Sequence, residues 1–177
     1  VPHTYPDRFT HERPLRVLFV GSVSVAKGAA SLLESLALLE DVPLRLRLVG
    51  EVAMTVPSGF LTHPAVEWIG ALSRSEVMRH YRDSDVLVFP SHSDGFGMSQ
   101  VEAQVRGLPV VASRHCGHVV DHGVTGLVIP AVTPDAIAAA LRQVAACPEM
   151  LERFSRNALA APRFGLDRMG DALLNLE

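Results

Sequence analysis

The chain has 177 residues, 48% of them hydrophobic, and a mean hydropathy of +0.23; this is enough apolar material for one large domain with a formed core and excludes a disordered or fibrous protein. Lys and Arg number 16 against 19 Asp and Glu, a net charge of −3 without long blocks of either sign, so the basic stripe that neutralises a nucleic-acid backbone is missing and no nucleic acid is expected as a partner. Only two cysteines occur, Cys116 and Cys147, without Cys-x-x-Cys spacing, and no apolar run approaches the ~18 residues of a membrane span; both fit a soluble protein of a reducing cytoplasm.

Residues 1–14 are polar, with three prolines and no periodicity, and read as a linker or arm. Leu15 to Val20 is a strand candidate that runs into a loop from Gly21 to Gly28, and a helix is expected over Ser31 to Leu39, where Leu32, Leu33, Leu36 and Leu39 recur at helical spacing. Leu44 to Val49 alternates and predicts a second strand, residues 51–64 look irregular, and Val66 to Ile69 is a short third strand. Ser73 followed by Glu76 is a capping-box pattern opening a helix from Arg74 to Arg82. Val86 to Phe89 is a run suited to a buried strand, and Met98 to Arg106 contains good helix formers without Gly or Pro.

A fifth strand is expected over residues 107–113, a sixth over Leu127 to Ile129, and a helix from Thr133 with Pro134 at its first position. Helical segments near Pro148 to Leu159 and Leu166 to Leu176 end the chain. Short strands alternating with helices predict an α/β fold, a Rossmann-like doubly wound parallel sheet of about six strands flanked by helices. A ligand crevice then belongs at the carboxyl ends of the strands, where Gly21 to Gly28, Gly50, Gly70 and Pro90 to Gly97 would lie.

The chemistry gathers in those loops. The pair Gly95 and Gly97 between a strand and a helix lets backbone turn sharply and aims unpaired N–H groups at one point, a place for an anion such as a diphosphate. Lys27 adds a mobile cation after a glycine-bearing loop, although that loop is neither a P-loop nor the G-x-G-x-x-G dinucleotide fingerprint. Two carboxylates, Asp94 and Glu102, flank the turn. Acceptor-only groups beside an anion site call for hydroxyl donors, hence a polyhydroxylated ligand, a ribose or a hexose. His115, Cys116, His118 and His122 are metal-ligand types, but Gly117 and Gly123 break the helix that would hold them on one face and no second cluster supplies ligands, so a polar loop near the ligand is expected and no metal. No G-x-S-x-G elbow supports a hydrolase triad.

The segments F-V-G-S-V-S-V-A-K-G, L-V-G, V-E-W-I-G-A-L-S, D-V-L-V-F-P-S-H-S-D-G-F-G-M-S-Q-V-E-A, G-L-P-V-V-A-S and G-V-T-G-L-V-I-P resemble, in that order, the C-terminal donor-binding domain of retaining glycosyltransferases of family 4, one half of a GT-B fold. The resemblance runs from about Val17 to Leu174. It implies a nucleotide-diphosphate sugar as ligand and no cofactor or metal. By the same resemblance the donor-binding set is Gly21, Ser22, Lys27, Gly28, Leu72, Asp94, Gly95, Phe96, Gly97, Met98, Ser99 and Glu102. Within it Lys27 would contact the diphosphate, Gly95 to Ser99 would face phosphate and sugar, Asp94 would contact sugar hydroxyls and Glu102 the ribose, with Asp94 and Lys27 acting in the transfer. The chain departs from the family pattern in Gly21-Ser22 for the usual Gly-Arg, in Asp94 for the commoner Glu, and in a shortened loop at His115 to Val120.

The resemblance implies three parts: an interdomain linker or arm over residues 1–14, the donor domain over 15–163, and a C-terminal helix over 164–177 that packs back on an N-terminal domain. That domain, from the same or a partner chain, would bring the acceptor site, and any membrane association would run through it. The expected function is the donor half of a retaining hexosyltransferase, incomplete by itself; the alternative is a non-catalytic nucleotide-sugar-binding module that regulates or scaffolds a partner.

Overall fold

The computed structural model of the chain describes residues 9, 10 and 12–160. Among them, strands β1 (Leu15–Val20), β2 (Leu44–Val49), β3 (Val66–Gly70), β4 (Val86–Phe89), β5 (Val110–Ser113) and β6 (Gly126–Ile129) form one sheet in the order β3-β2-β1-β4-β5-β6, with every neighbouring pair parallel. The helices are α1 (Ala29–Ser35), α2 (Ser58–Leu61), α3 (Arg74–Arg82), α4 (Met98–Gln104), α5 (Pro134–Ala146) and α6 (Pro148–Ala160), and a 3₁₀ turn at Leu36–Leu38 continues α1. The α/β doubly wound parallel sheet expected from the sequence is the fold observed.

Side chains alternate between the two faces of the sheet. Val17 and Phe19 of β1, Leu46 and Leu48 of β2 and Val86 and Val88 of β4 pack with Leu32 and Leu33 of α1, Ile137 and Leu141 of α5 and Phe154 of α6. The intervening residues Leu18, Val49, Leu87, Phe89 and Val110 meet Val77 and Tyr81 of α3 and Ala103 of α4 on the other face. Strands covered on both sides must be apolar throughout, which is why β4 reads as an unbroken run and not as an alternation. Each such side chain, fully buried, contributes about 1.5–3 kcal/mol.

The helix starts follow their caps. Ser73 donates its backbone N–H to Glu76 Oε2 at 2.9 Å at the head of α3, and Thr133 Oγ1 accepts from Ala136 N–H at 3.3 Å ahead of Pro134 in α5. Four expectations shift. Helix α1 begins at Ala29, directly after Gly28 in the left-handed conformation at φ +71°. Residues 51–64 include the single helical turn α2. Helix α4 stops at Gln104, two residues before Arg106, as the chain turns toward Gly107 at φ +63°. Strand β5 starts only at Val110, Pro109 contributing its carbonyl to Leu87 N–H at 2.9 Å. The helical segment expected at Leu166 to Leu176 lies outside the described residues.

Asp85, at the foot of β4, ties the incoming chain to the sheet. Its carboxylate, only 2% exposed, accepts from both Arg13 Nη atoms at 2.6 and 2.9 Å, from Arg16 N–H at 2.9 Å and from Phe9 N–H at 3.3 Å. Part of the stretch read as an arm, Phe9 and Arg13, is therefore packed against the domain. Burial pushes the Asp85 carboxyl up, but the Arg13 guanidinium and the Arg16 N–H outweigh it and hold the group below its ordinary value of 3.8. A carboxyl depressed in the folded state stabilises above its unfolded value and loses that stabilisation as pH falls through the folded one. Asp85→Asn is therefore expected to cost about 1–2 kcal/mol near neutrality, a difference that shrinks below about pH 4. Urea unfolding of both proteins from pH 7 to pH 2.5 reads it, and a difference constant over that range refutes the assignment.

Candidate functional site

The strand order reverses between β1 and β4: β2 and β3 extend from one side of β1, β4 to β6 from the other. At such a point the two outgoing loops diverge and leave a crevice at the carboxyl ends of the strands. One wall is the β1–α1 loop with Gly21, Ser22, Lys27 and Gly28, and the other is the β4–α4 loop with Asp94 to Gly97. The walls are stitched together, for Ala26 O accepts from His92 N–H at 2.9 Å and Ser91 Oγ at 3.3 Å.

Toward its end the β1–α1 loop closes on itself, with Lys27 and Ala29 N–H donating to Ser24 O and Gly28 N–H to Val25 O, while at its start Gly21 and Val23 N–H donate to Val49 O and Glu51 O. What it turns toward the crevice is the Lys27 side chain, whose Nζ is ion-paired with Asp94 Oδ2. Sequence spacing gave no sign of that contact, the two residues being 67 positions apart. Asp94 is itself positioned by its N–H on His115 O at 3.3 Å, and the next residue, Gly95, accepts through its carbonyl from Gly117 N–H at 3.0 Å. The loop from His115 to His118 thus buttresses the turn. Among the described residues no group of three or more His, Cys, Asp or Glu side chains is placed to hold a metal ion.

The two glycines of the turn differ. Gly97 sits at φ +65°, and a Cβ there would come within 2.6 Å of Gln100 Nε2 and 2.9 Å of the Phe89 ring, so its backbone is seated on that ring. Gly95 has ordinary φ and open space around it. Beyond Gly97 the N–H groups of Met98 and Ser99, in the first turn of α4, meet no acceptor among the described residues. Phe96 and Met98 are exposed at the rim.

Glu102 lies one turn further along α4 with its side chain 20% exposed. Tyr81 donates its hydroxyl to Glu102 Oε2 at 3.1 Å, and Arg74 reaches Oε1 at 3.3 Å. Burial, then the neighbouring Glu102 charge, push the Tyr81 hydroxyl far above its ordinary value, so it stays protonated and stays a donor. The Arg106 guanidinium covers the Tyr81 ring 5.7 Å from its centroid. Sequence reasoning missed Tyr81; the signal was its place four residues after Val77 on one apolar face of α3. Leu72, two residues before Arg74, packs against the core face under α3.

Beside the turn lies a cavity of about 390 Å³ lined by Gln100, Ser113, His115, Cys116, Gly117 and His118 among others. Gln100, fully buried, has neither side-chain atom in a good hydrogen bond, although the amide lies near the Cys116 thiol. No helix among the described residues is long and apolar enough to cross a membrane.

The family described as "Glycosyl transferases group 1" matches residues 5–160. The chain is 36% identical to a D-inositol 3-phosphate glycosyltransferase of Saccharomonospora viridis, over 89% of this chain and 41% of that protein. Anabaena HepE, solved in complex with UDP and glucose, superposes with a TM-score of 0.76 at 20% identity, covering 94% of this chain and 50% of that one. The C-terminal domain of a glycosyl transferase group 1 family protein from Francisella tularensis gives 0.70 at 16% identity, covering 84% and 85%. The chain therefore spans about two fifths of the curated relative and half of the HepE chain.

Proposed function

The chain belongs to the glycosyl transferases group 1 family, and from that premise we propose that it is the donor-binding half of a retaining hexosyltransferase, holding a nucleotide-diphosphate sugar in the crevice between β1 and β4. One observation carries the reading: at the switch point of the sheet a lysine and two open N–H groups stand beside two carboxylates, one of them oriented by a buried tyrosine. Cation and amides suit a diphosphate, and carboxylates suit hydroxyls. Asp94 takes hexose hydroxyls and Glu102 those of the ribose, with the diphosphate between them.

During transfer the bond from the anomeric carbon to the diphosphate oxygen breaks while the acceptor hydroxyl oxygen bonds to that carbon on the same face; negative charge collects on the leaving diphosphate, whose oxygen takes the hydroxyl proton. Lys27 Nζ and the N–H groups of Met98 and Ser99 stabilise that charge as it forms. The acceptor and the groups that orient it come from a second domain, in keeping with the partial span of the relatives. HepE's bound UDP makes UDP and UDP-glucose the first ligands to try.

Calorimetric titration with UDP, GDP and ADP tests the reading, and no binding of any of them at millimolar concentration sinks it. Lys27→Ala is expected to weaken the nucleoside diphosphate about fivefold, roughly 1 kcal/mol, and leave the nucleoside unchanged. The loss is modest because Lys27, a third exposed, is also the ion-pair partner of Asp94. Equal losses for nucleotide and nucleoside contradict a phosphate role.

A further inference from the structure

Lys27 and Asp94 serve adjacent parts of the ligand in the reading above, the diphosphate and the hexose, yet their side chains hold each other. Their loops are held by contacts other than this pair, the two walls to each other through the Ala26 carbonyl under His92 and Ser91, and the aspartate wall also by the hydrogen bonds of Asp94 and Gly95 to residues 115 and 117. The side chains alone must move to break the pair. Only Oδ2 of Asp94 is engaged; Oδ1 accepts nothing from the described residues and is open to a hydroxyl. Both side chains are partly shielded, 33% and 19% exposed, so their attraction is less screened than that of a surface pair.

We propose that Asp94 is a discriminating residue, competing with the diphosphate for Lys27 and yielding it when a hexose hydroxyl takes the aspartate, so that the crevice favours nucleotide sugar over the nucleoside diphosphate left after transfer. The inference rests on the donor-site reading and adds a coupling to it. A nucleoside diphosphate must draw Lys27 away and leave Asp94 without a partner beside new negative charge. A nucleotide sugar draws Lys27 to its diphosphate and supplies the donor that Asp94 loses. Each half of the donor thereby pays for the other's contact, and after the sugar departs Asp94 recaptures Lys27 and speeds release of the nucleotide. Binding energy shared this way is a difference between two ligands and needs no movement of the backbone.

The test is a double-mutant cycle on the purified chain, read by titration with UDP and with UDP-glucose, or with the nucleotide pair that the wild type binds best. Asp94→Asn keeps the shape and removes the charge; Asp94→Ser guards against a new amide contact. Both are expected to tighten UDP three- to tenfold and to weaken UDP-glucose, inverting the preference. In a Lys27→Ala background the UDP gain is expected to vanish, because nothing remains to be released. A gain of the same size without Lys27 overturns the proposal, since simple relief of charge repulsion then accounts for it. Equal weakening of both ligands by Asp94→Asn also overturns it, while leaving the donor site in place. Wild-type protein that binds no nucleotide removes the underlying reading and this coupling together.

Discussion

Glu102→Ala is expected to lower the affinity of the chain for a nucleoside diphosphate by about 1–3 kcal/mol, some five- to 150-fold. The loss has a defined origin. Each carboxylate oxygen has two acceptor positions, and Tyr81 and Arg74 fill one on each, so two remain for the two ribose hydroxyls. Alanine leaves both hydroxyls without acceptors in a cleft that excludes part of the water, and it also removes the Glu102 acceptor from the buried Tyr81 hydroxyl. Glu102→Gln keeps the shape but offers one acceptor oxygen and an amide that cannot accept, so it is expected to fall between the two. Nucleoside and nucleoside diphosphate should lose equally, which separates this residue from Lys27. Titration of both ligands decides it, and unchanged affinity removes Glu102 from the site. Arg74, with its side chain 82% exposed, contributes little to that orientation; Tyr81 fixes it.

The strands were legible because burial writes itself into composition: β4 begins and ends where its apolar run does, and β2 where its alternation does. Helix α2 was not, since one turn in a stretch with two prolines leaves no periodicity to read. The glycine turn was legible as a turn, but spacing could not say that Gly97 alone carries the left-handed backbone while Gly95 has an ordinary one. Of the candidate site, the loops that face one another follow from the strand order, and alternation of strands and helices predicts a doubly wound sheet with its crevice at the carboxyl ends but does not by itself choose that order. The side-chain contacts do not follow. Lys27 meeting Asp94, and Tyr81 meeting Glu102, depend on how α3 and the β1–α1 loop settle on the sheet, a distance that no interval in the sequence encodes.

Gly28→Ala is expected to destabilise the domain by about 3 kcal/mol or more, roughly 6–12 °C in Tm at 2–4 °C per kcal/mol for a chain of this size, and to remove nucleotide binding with it. Gly28 combines two demands that are usually separate. Its φ of +71° is a conformation that a Cβ disfavours by about 1 kcal/mol or more. The added Cβ would also lie 1.9 Å from Pro90 O and 2.9 Å from Val132 Cγ1, and the first of these is backbone that cannot rotate away. Relief requires the β1–α1 loop to lift from the β4 loop, which parts Ala26 O from His92 N–H and carries Lys27 out of the crevice. Gly59→Ala is the matched control, because Gly59 has ordinary φ, no atom within 4 Å of its built Cβ and a place in α2, far along the chain from either loop. It should leave Tm and nucleotide affinity unchanged or raise Tm slightly through helix propensity. If Gly28→Ala unfolds with the control and binds nucleotide normally, the close seating of the two loops is not what holds Lys27 at the site.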